Sequence, residues 1–187
     1  MKKIFLILFL LGCENTITDN SSDSAISDGI VINEINYNSS SDLDSEDWIE
    51  LYNPTNQTID LSMWEFHGDD DVFIIPENTI LLPNQYVVLC ENSSLFSEIF
   101  PSVNNFIGDF GFGLKGGGEL LRLFDSSDLM VDEVEYDDIT PWPIAPDGQG
   151  PTLELMDPFL DNALGDSWEA SNINGGTPGE MNSVSSE

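Results

Sequence analysis

Positive charge is what this chain has least of. It carries 4 lysine and arginine residues against 35 aspartates and glutamates, for a formal net charge of −31. Two of those cations, Lys2 and Lys3, sit at the N-terminus, so Lys115 and Arg122 are the only ones beyond it. Nucleic-acid affinity rests on cations that displace counterions condensed on phosphate. Adsorption to anionic lipid headgroups needs cations too. Charge therefore excludes both nucleic-acid binding and adsorption through a basic patch. Histidine is scarcer still, with His67 alone. A serine or cysteine triad needs a base held against its nucleophile, and Phe66-His67-Gly68-Asp69 has no partner motif. His67 reads as a loop histidine among acids, and no catalytic residue is assigned. Cysteine occurs twice. Cys90 ends the apolar run Tyr86-Val87-Val88-Leu89-Cys90 and reads as a small buried hydrophobe. The run Ile4 to Leu11 is too short for a membrane span, which takes about 20 residues.

That short run has another use. Met1-Lys2-Lys3 forms a cationic n-region, Ile4 to Leu11 an h-region, and Leu10-Leu11-Gly12-Cys13 resembles the bacterial lipobox. The expectation is a lipoprotein signal peptide over residues 1–12 and a lipid on Cys13, which leaves Cys90 with no disulfide partner. Buried acyl chains contribute about 0.8 kcal/mol per CH₂ and would hold even an acidic protein on a membrane. Residues 13–29 are polar and acidic without an apolar period, so they read as a flexible tether. The address is the bacterial cell envelope. Glu14 is not the aspartate typical of inner-membrane retention, which points to the outer membrane, with display at the surface.

From Ile30 onward short β-type runs alternate with turn residues. Strands are expected over 30–36, 47–53, 59–66, 72–75, 79–82, 86–90, 120–124, 130–136 and 152–156. In the second of these, Ile49 and Leu51 share one face, with Trp48, Glu50 and Tyr52 on the other. One helix is expected over 94–100, capped by serine and stopped by Pro101. About nine short strands and one short helix argue for an all-β, two-sheet sandwich.

The residues also resemble a known family. Val31-Ile32-Asn33-Glu34-Ile35, Asp47-Trp48-Ile49-Glu50-Leu51-Tyr52-Asn53 and Ile59-Asp60-Leu61-Ser62-Met63-Trp64 are similar to the opening of a bacterial lamin tail domain. The likeness continues through Leu82-Pro83-Asn84-Gln85-Tyr86, Gly116-Gly117-Gly118-Glu119, Val131-Asp132-Glu133-Val134, Trp142-Pro143, Thr152-Leu153-Glu154-Leu155, Trp168 and Gly175-Gly176-Thr177-Pro178-Gly179. It covers residues 30–182 and leaves 183–187 as a disordered tail. The resemblance implies an immunoglobulin-like β-sandwich and a non-catalytic binding or anchoring module. The chromatin contacts of nuclear lamin tails do not transfer to a chain this acidic.

Three constellations remain as candidate sites. Asp42, Asp44 and Glu46 form one acidic loop, and Asp69, Asp70 and Asp71 another. Clustered hard oxygens suit Ca²⁺, so a calcium-dependent adhesion or glycan-binding module is the alternative function; a structural envelope component is a third. Asp47 and Asn53 stand at positions six and twelve of the first loop, which excludes an EF-hand. Glu34 and Glu50 lie inside strands among apolar neighbours. They are expected either to accept backbone N–H bonds or to form an acidic site on one sheet face. Trp142 and Trp168 are candidates for an exposed aromatic platform, or else for cover over a sheet edge. No cofactor is required, and the partner is an unidentified protein or glycan.

Overall fold

The structure is a computed structural model that describes residues 29–185. The expected signal peptide, Cys13 and the expected tether up to residue 28 lie outside the described residues. In chain order the elements are β1 (Val31–Asn36), β2 (Trp48–Tyr52), β3 (Ile59–Asp60), β4 (Glu65–His67), β5 (Val72–Ile74), β6 (Ile80–Leu81) and β7 (Tyr86–Cys90). Then come α1 (Ser93–Ile99), β8 (Phe106–Ile107), β9 (Glu119–Phe124), β10 (Met130–Tyr136), β11 (Pro151–Leu155) and β12 (Trp168–Asn174). One sheet has the order β12-β11-β1-β2-β7-β8 and the other β10-β9-β4-β5; β3 and β6 pair by themselves. All pairings are antiparallel except β7 with β8. The architecture is an immunoglobulin-like β-sandwich.

The core follows from strand alternation. Ile49 and Leu51 of β2 face the interior with Val87 and Leu89 of β7, Leu121 and Leu123 of β9, Val134 of β10 and Leu153 of β11. The opposite face of the larger sheet is not left to solvent. Trp48, Val88 and Cys90 pack there under Phe96 of α1, with Phe100 and Phe106 around them. Trp48 meets Phe96 and Phe100 edge-on at 5.9 and 6.1 Å, a favoured aromatic geometry. Burial at this second cluster pushes the Cys90 thiol up to about 12, so it is an inert apolar group.

Several expectations need correction. The helix starts at Ser93, and its cap is Asn92 rather than a serine. The Asn92 Oδ1 accepts the N–H groups of Ser94 and Leu95 at 3.2 and 3.1 Å, satisfying two of the donors a first turn leaves free. The strand expected over 59–66 breaks at Met63, whose backbone is left-handed (φ 63°). Its first half pairs with β6 and its second with β5 and β9. β8 and β12 were not expected; β12 extends the larger sheet beyond β11. Nor does the tail start at 183, because the Ser183 hydroxyl and the Val184 N–H both donate to Glu154.

Candidate functional site: an acidic cleft and a buried carboxylate cluster

The Gly116-Gly117-Gly118 run leads directly into β9. Gly118 has φ +104°, and a Cβ there would stand 2.7 Å from the Tyr136 carbonyl oxygen. Only glycine lets the chain pass this close to β10. A cleft of about 420 Å³ opens beside this crossing. Its lining includes Asp69, Glu119, Glu135, Asp137, Tyr136 and Trp142. Glu119 is buried and organises one wall. Its Oε1 accepts the Asp69 N–H at 2.9 Å and its Oε2 the Lys115 N–H at 3.0 Å. The Tyr136 hydroxyl donates to the Lys115 carbonyl at 2.8 Å, so the loop that carries Lys115 is fixed at both polar groups. Lys115 then pairs with Asp69 and holds that carboxyl below its usual range. The other cation beyond the N-terminus, Arg122, donates to the Gly68 carbonyl at 3.1 Å. Both cations are thus engaged around one turn, and among the described residues Glu135 and Asp137, which line the cleft, are in no ion pair.

The second cluster lies on the outer face of the larger sheet. Glu34 of β1 stands opposite Glu50 of β2 on one side and Glu154 of β11 on the other. All three are fully buried. A bulge at Asn33 shifts the β1 register, so that Asn33 and Glu34 both reach this face. The Asn33 amide donates to Glu50 Oε1 at 3.0 Å and to Asn182 Oδ1 at 2.8 Å. The remaining donors come largely from the C-terminal segment. Gly179 N–H donates to Glu50, Thr177 N–H to Glu34, and Ser183 and Val184 to Glu154. Thus Glu34 and Glu50 do accept backbone N–H bonds, as the first of the two readings expected. Burial, and then the neighbouring carboxylates, push Glu34 well above the usual range, while burial raises Glu50 to about 8.

The other candidates part company. Asp42 and Asp44 are exposed in the loop before β2, where Asp44 Oδ1 accepts the Glu46 N–H at 3.3 Å. Asp69, Asp70 and Asp71 form the turn between β4 and β5, closed by the Gly68 N–H donating to the Asp71 carbonyl. Among the described residues no three His, Cys, Asp or Glu side chains are arranged to hold a metal ion. The aromatic platform is a correction: Trp142 and Trp168 are only 8% and 2% exposed. Their rings lie 6.1 Å apart within the core, and the Trp168 indole donates to the Asn162 carbonyl at 2.8 Å. They seal the sandwich and present no stacking face. His67 belongs to β4, not a loop, with its Nε2 2.8 Å from Glu65 Oε2 and its ring against Phe124.

The lamin tail domain model matches residues 23–138, more than half of the chain. The chain belongs to the lamin tail domain family. Of the curated proteins searched, none matches it. The match ends after β10, yet this lamin tail domain continues: β11 inserts between β1 and β12, and the segment after β12 closes over the three glutamates. Sequence reasoning singled out Glu34 and Glu50 but missed Glu154, Glu119, Glu135 and Asp137. Glu154 carried a similar signal, an acid inside a strand, flanked by Leu153 and Leu155. Of the cleft acids only Asp69 was singled out, as part of an acidic loop; nothing separates Glu119, Glu135 and Asp137 from other carboxylates before the fold brings them together.

Proposed function

We propose that this lamin tail domain is a non-catalytic binding module, held in the bacterial cell envelope by a lipid on Cys13, that engages a partner presenting lysine or arginine side chains. The observation that carries the reading is the cleft lined by Glu135 and Asp137, neither of them in an ion pair among the described residues, beside a fixed glycine turn. Ammonium and guanidinium groups are the natural counterparts of such carboxylates, through charge-assisted hydrogen bonds. The surrounding field adds to this, because a strongly negative molecule steers cations toward it at moderate ionic strength. The lipobox reading supplies the anchor, and the tether sets the cleft away from the membrane surface.

The test uses the full-length chain expressed in a Gram-negative host. Wild type is expected in the membrane fraction and Cys13→Ser in the soluble fraction. A lysine-rich peptide is then titrated onto the protein at increasing salt. Glu135→Gln with Asp137→Asn is expected to weaken binding about tenfold, the equivalent of ~1.4 kcal/mol. An equal change made at exposed Asp70 and Asp71 is expected to weaken it far less. Equal losses from the two pairs would reduce the cleft to undifferentiated surface charge and defeat the reading.

A further inference from the structure

We propose that the C-terminal segment Gly175–Val184 is a proton-locked clasp, closed over Glu34, Glu50 and Glu154 while Glu34 and Glu50 hold protons and released from the sheet when these two ionise. Three observations carry this. The three carboxyls occupy neighbouring positions on three adjacent strands, and all are fully buried. Among the described residues no cation pairs with them. The titratable groups facing them from the surrounding elements are Tyr52 on β2, Tyr86 on β7, Glu169 opposite Glu154 on β12, and Glu180 in the segment itself. None of these supplies a positive charge.

The hydrogen bonds themselves call for a proton. Thr177 Oγ1 donates to Glu154 Oε1 at 2.9 Å and also lies 3.4 Å from Glu34 Oε2. One hydroxyl has one proton to give. Both contacts can be full hydrogen bonds at once when Glu34 carries a proton and donates it to Thr177 Oγ1. Glu34 Oε1 meanwhile accepts from the Thr152 hydroxyl and the Thr177 N–H. Three full negative charges at this spacing in a dry site would repel one another with nothing to offset them.

The segment is shaped for this seat. Gly176 (φ +77°) passes so close that a Cβ would stand 1.9 Å from Glu34 Oε1 and 2.5 Å from the Thr152 hydroxyl. Asn182 completes the closure by donating to the carbonyls of Asn33 and Leu155 at 2.9 and 2.8 Å. Closing the clasp therefore binds protons. Carboxyls raised to about 8 for Glu50, and well above their usual range for Glu34, return to ordinary values once exposed. Closure is then fully favoured at acid pH and lost as pH rises through about 8.

Hydrogen–deuterium exchange on the full-length chain, corrected for intrinsic rates, tests this between pH 6 and 9. The Thr177, Gly179 and Val184 amides should lose protection at least tenfold over that range, while β2 and β7 amides keep theirs. Glutamine resembles a neutral carboxyl, so Glu34→Gln with Glu50→Gln should flatten the dependence. If that pair fails to fold, Glu50→Gln alone should still reduce the slope. Protection that does not change with pH would overturn the clasp. So would loss shared equally by β7, or a pH dependence unaltered by the glutamines.

Discussion

At the residue scale, this protein replaces missing cations with donors. Asp132 shows how. It is buried on β10, yet its Oδ2 accepts the Ile32 N–H of the opposite sheet at 2.6 Å, and both its oxygens meet the Asn162 amide. Burial raises this carboxyl to about 6, against the pull of those bonds. The side chain thus satisfies a strand N–H that the β1 ladder leaves unpaired, and it ties the two sheets together. Asp132→Ala would strand that N–H and the Asn162 amide in a dry interior, at a cost of about 2 kcal/mol. Asp132→Asn keeps an acceptor and removes a buried charge, so it should cost less than half as much. Urea unfolding of the two variants checks the prediction. Equal losses would mean that packing, not the hydrogen bond, is what Asp132 contributes.

At the element scale, the interior of the sandwich was legible in the sequence and the cover over its outer face was not. Alternation placed Ile49 and Leu51 inward because a half-buried strand exposes its period of two. Cys90 reads as buried from its apolar run, but Trp48 and Glu50 give no comparable sign, since what buries them is α1 and a C-terminal segment distant in sequence. The same distance hid the cleft, which joins a turn at Asp69 to a hairpin beginning fifty residues later at Glu119. The Gly175-Gly176-Thr177-Pro178-Gly179 run was visible as a motif, but its purpose required the fold. Glycine variants measure that purpose. Gly176→Ala forces a methyl against the immobile Glu34 carboxyl at a left-handed backbone position, and should destabilise the domain by about 2 kcal/mol or more. Gly117→Ala meets nothing within 4 Å and should change stability by less than about 0.5 kcal/mol. Thermal melts of the pair decide it, and comparable shifts would show that Gly176 is not held against Glu34.

At the scale of the whole molecule, the acids that burial perturbs are all shifted one way. Glu50 is raised to about 8, Asp47 to about 7 and Asp132 to about 6, with desolvation the first cause in each, and Glu34 rises by the same mechanism. The folded chain therefore holds protons that the unfolded chain, with carboxyls near 4, has already released. Where the folded state binds more protons, stability falls as pH rises. That stabilisation is complete below about pH 4 and drains away up to about pH 8. Exposed Asp60, Asp69 and Asp109 are shifted downward and weaken the fold only as pH drops through their own lower values. The melting temperature should peak near pH 5 and decline steadily toward pH 9. Added salt should recover part of the decline by screening the self-repulsion of a −31 chain, but not the part that comes from buried carboxyls. Glu50→Gln should remove a share of that salt-insensitive slope. A melting temperature flat or rising from pH 5 to 9 would mean that the buried carboxyls ionise without cost, against the desolvation that raises them.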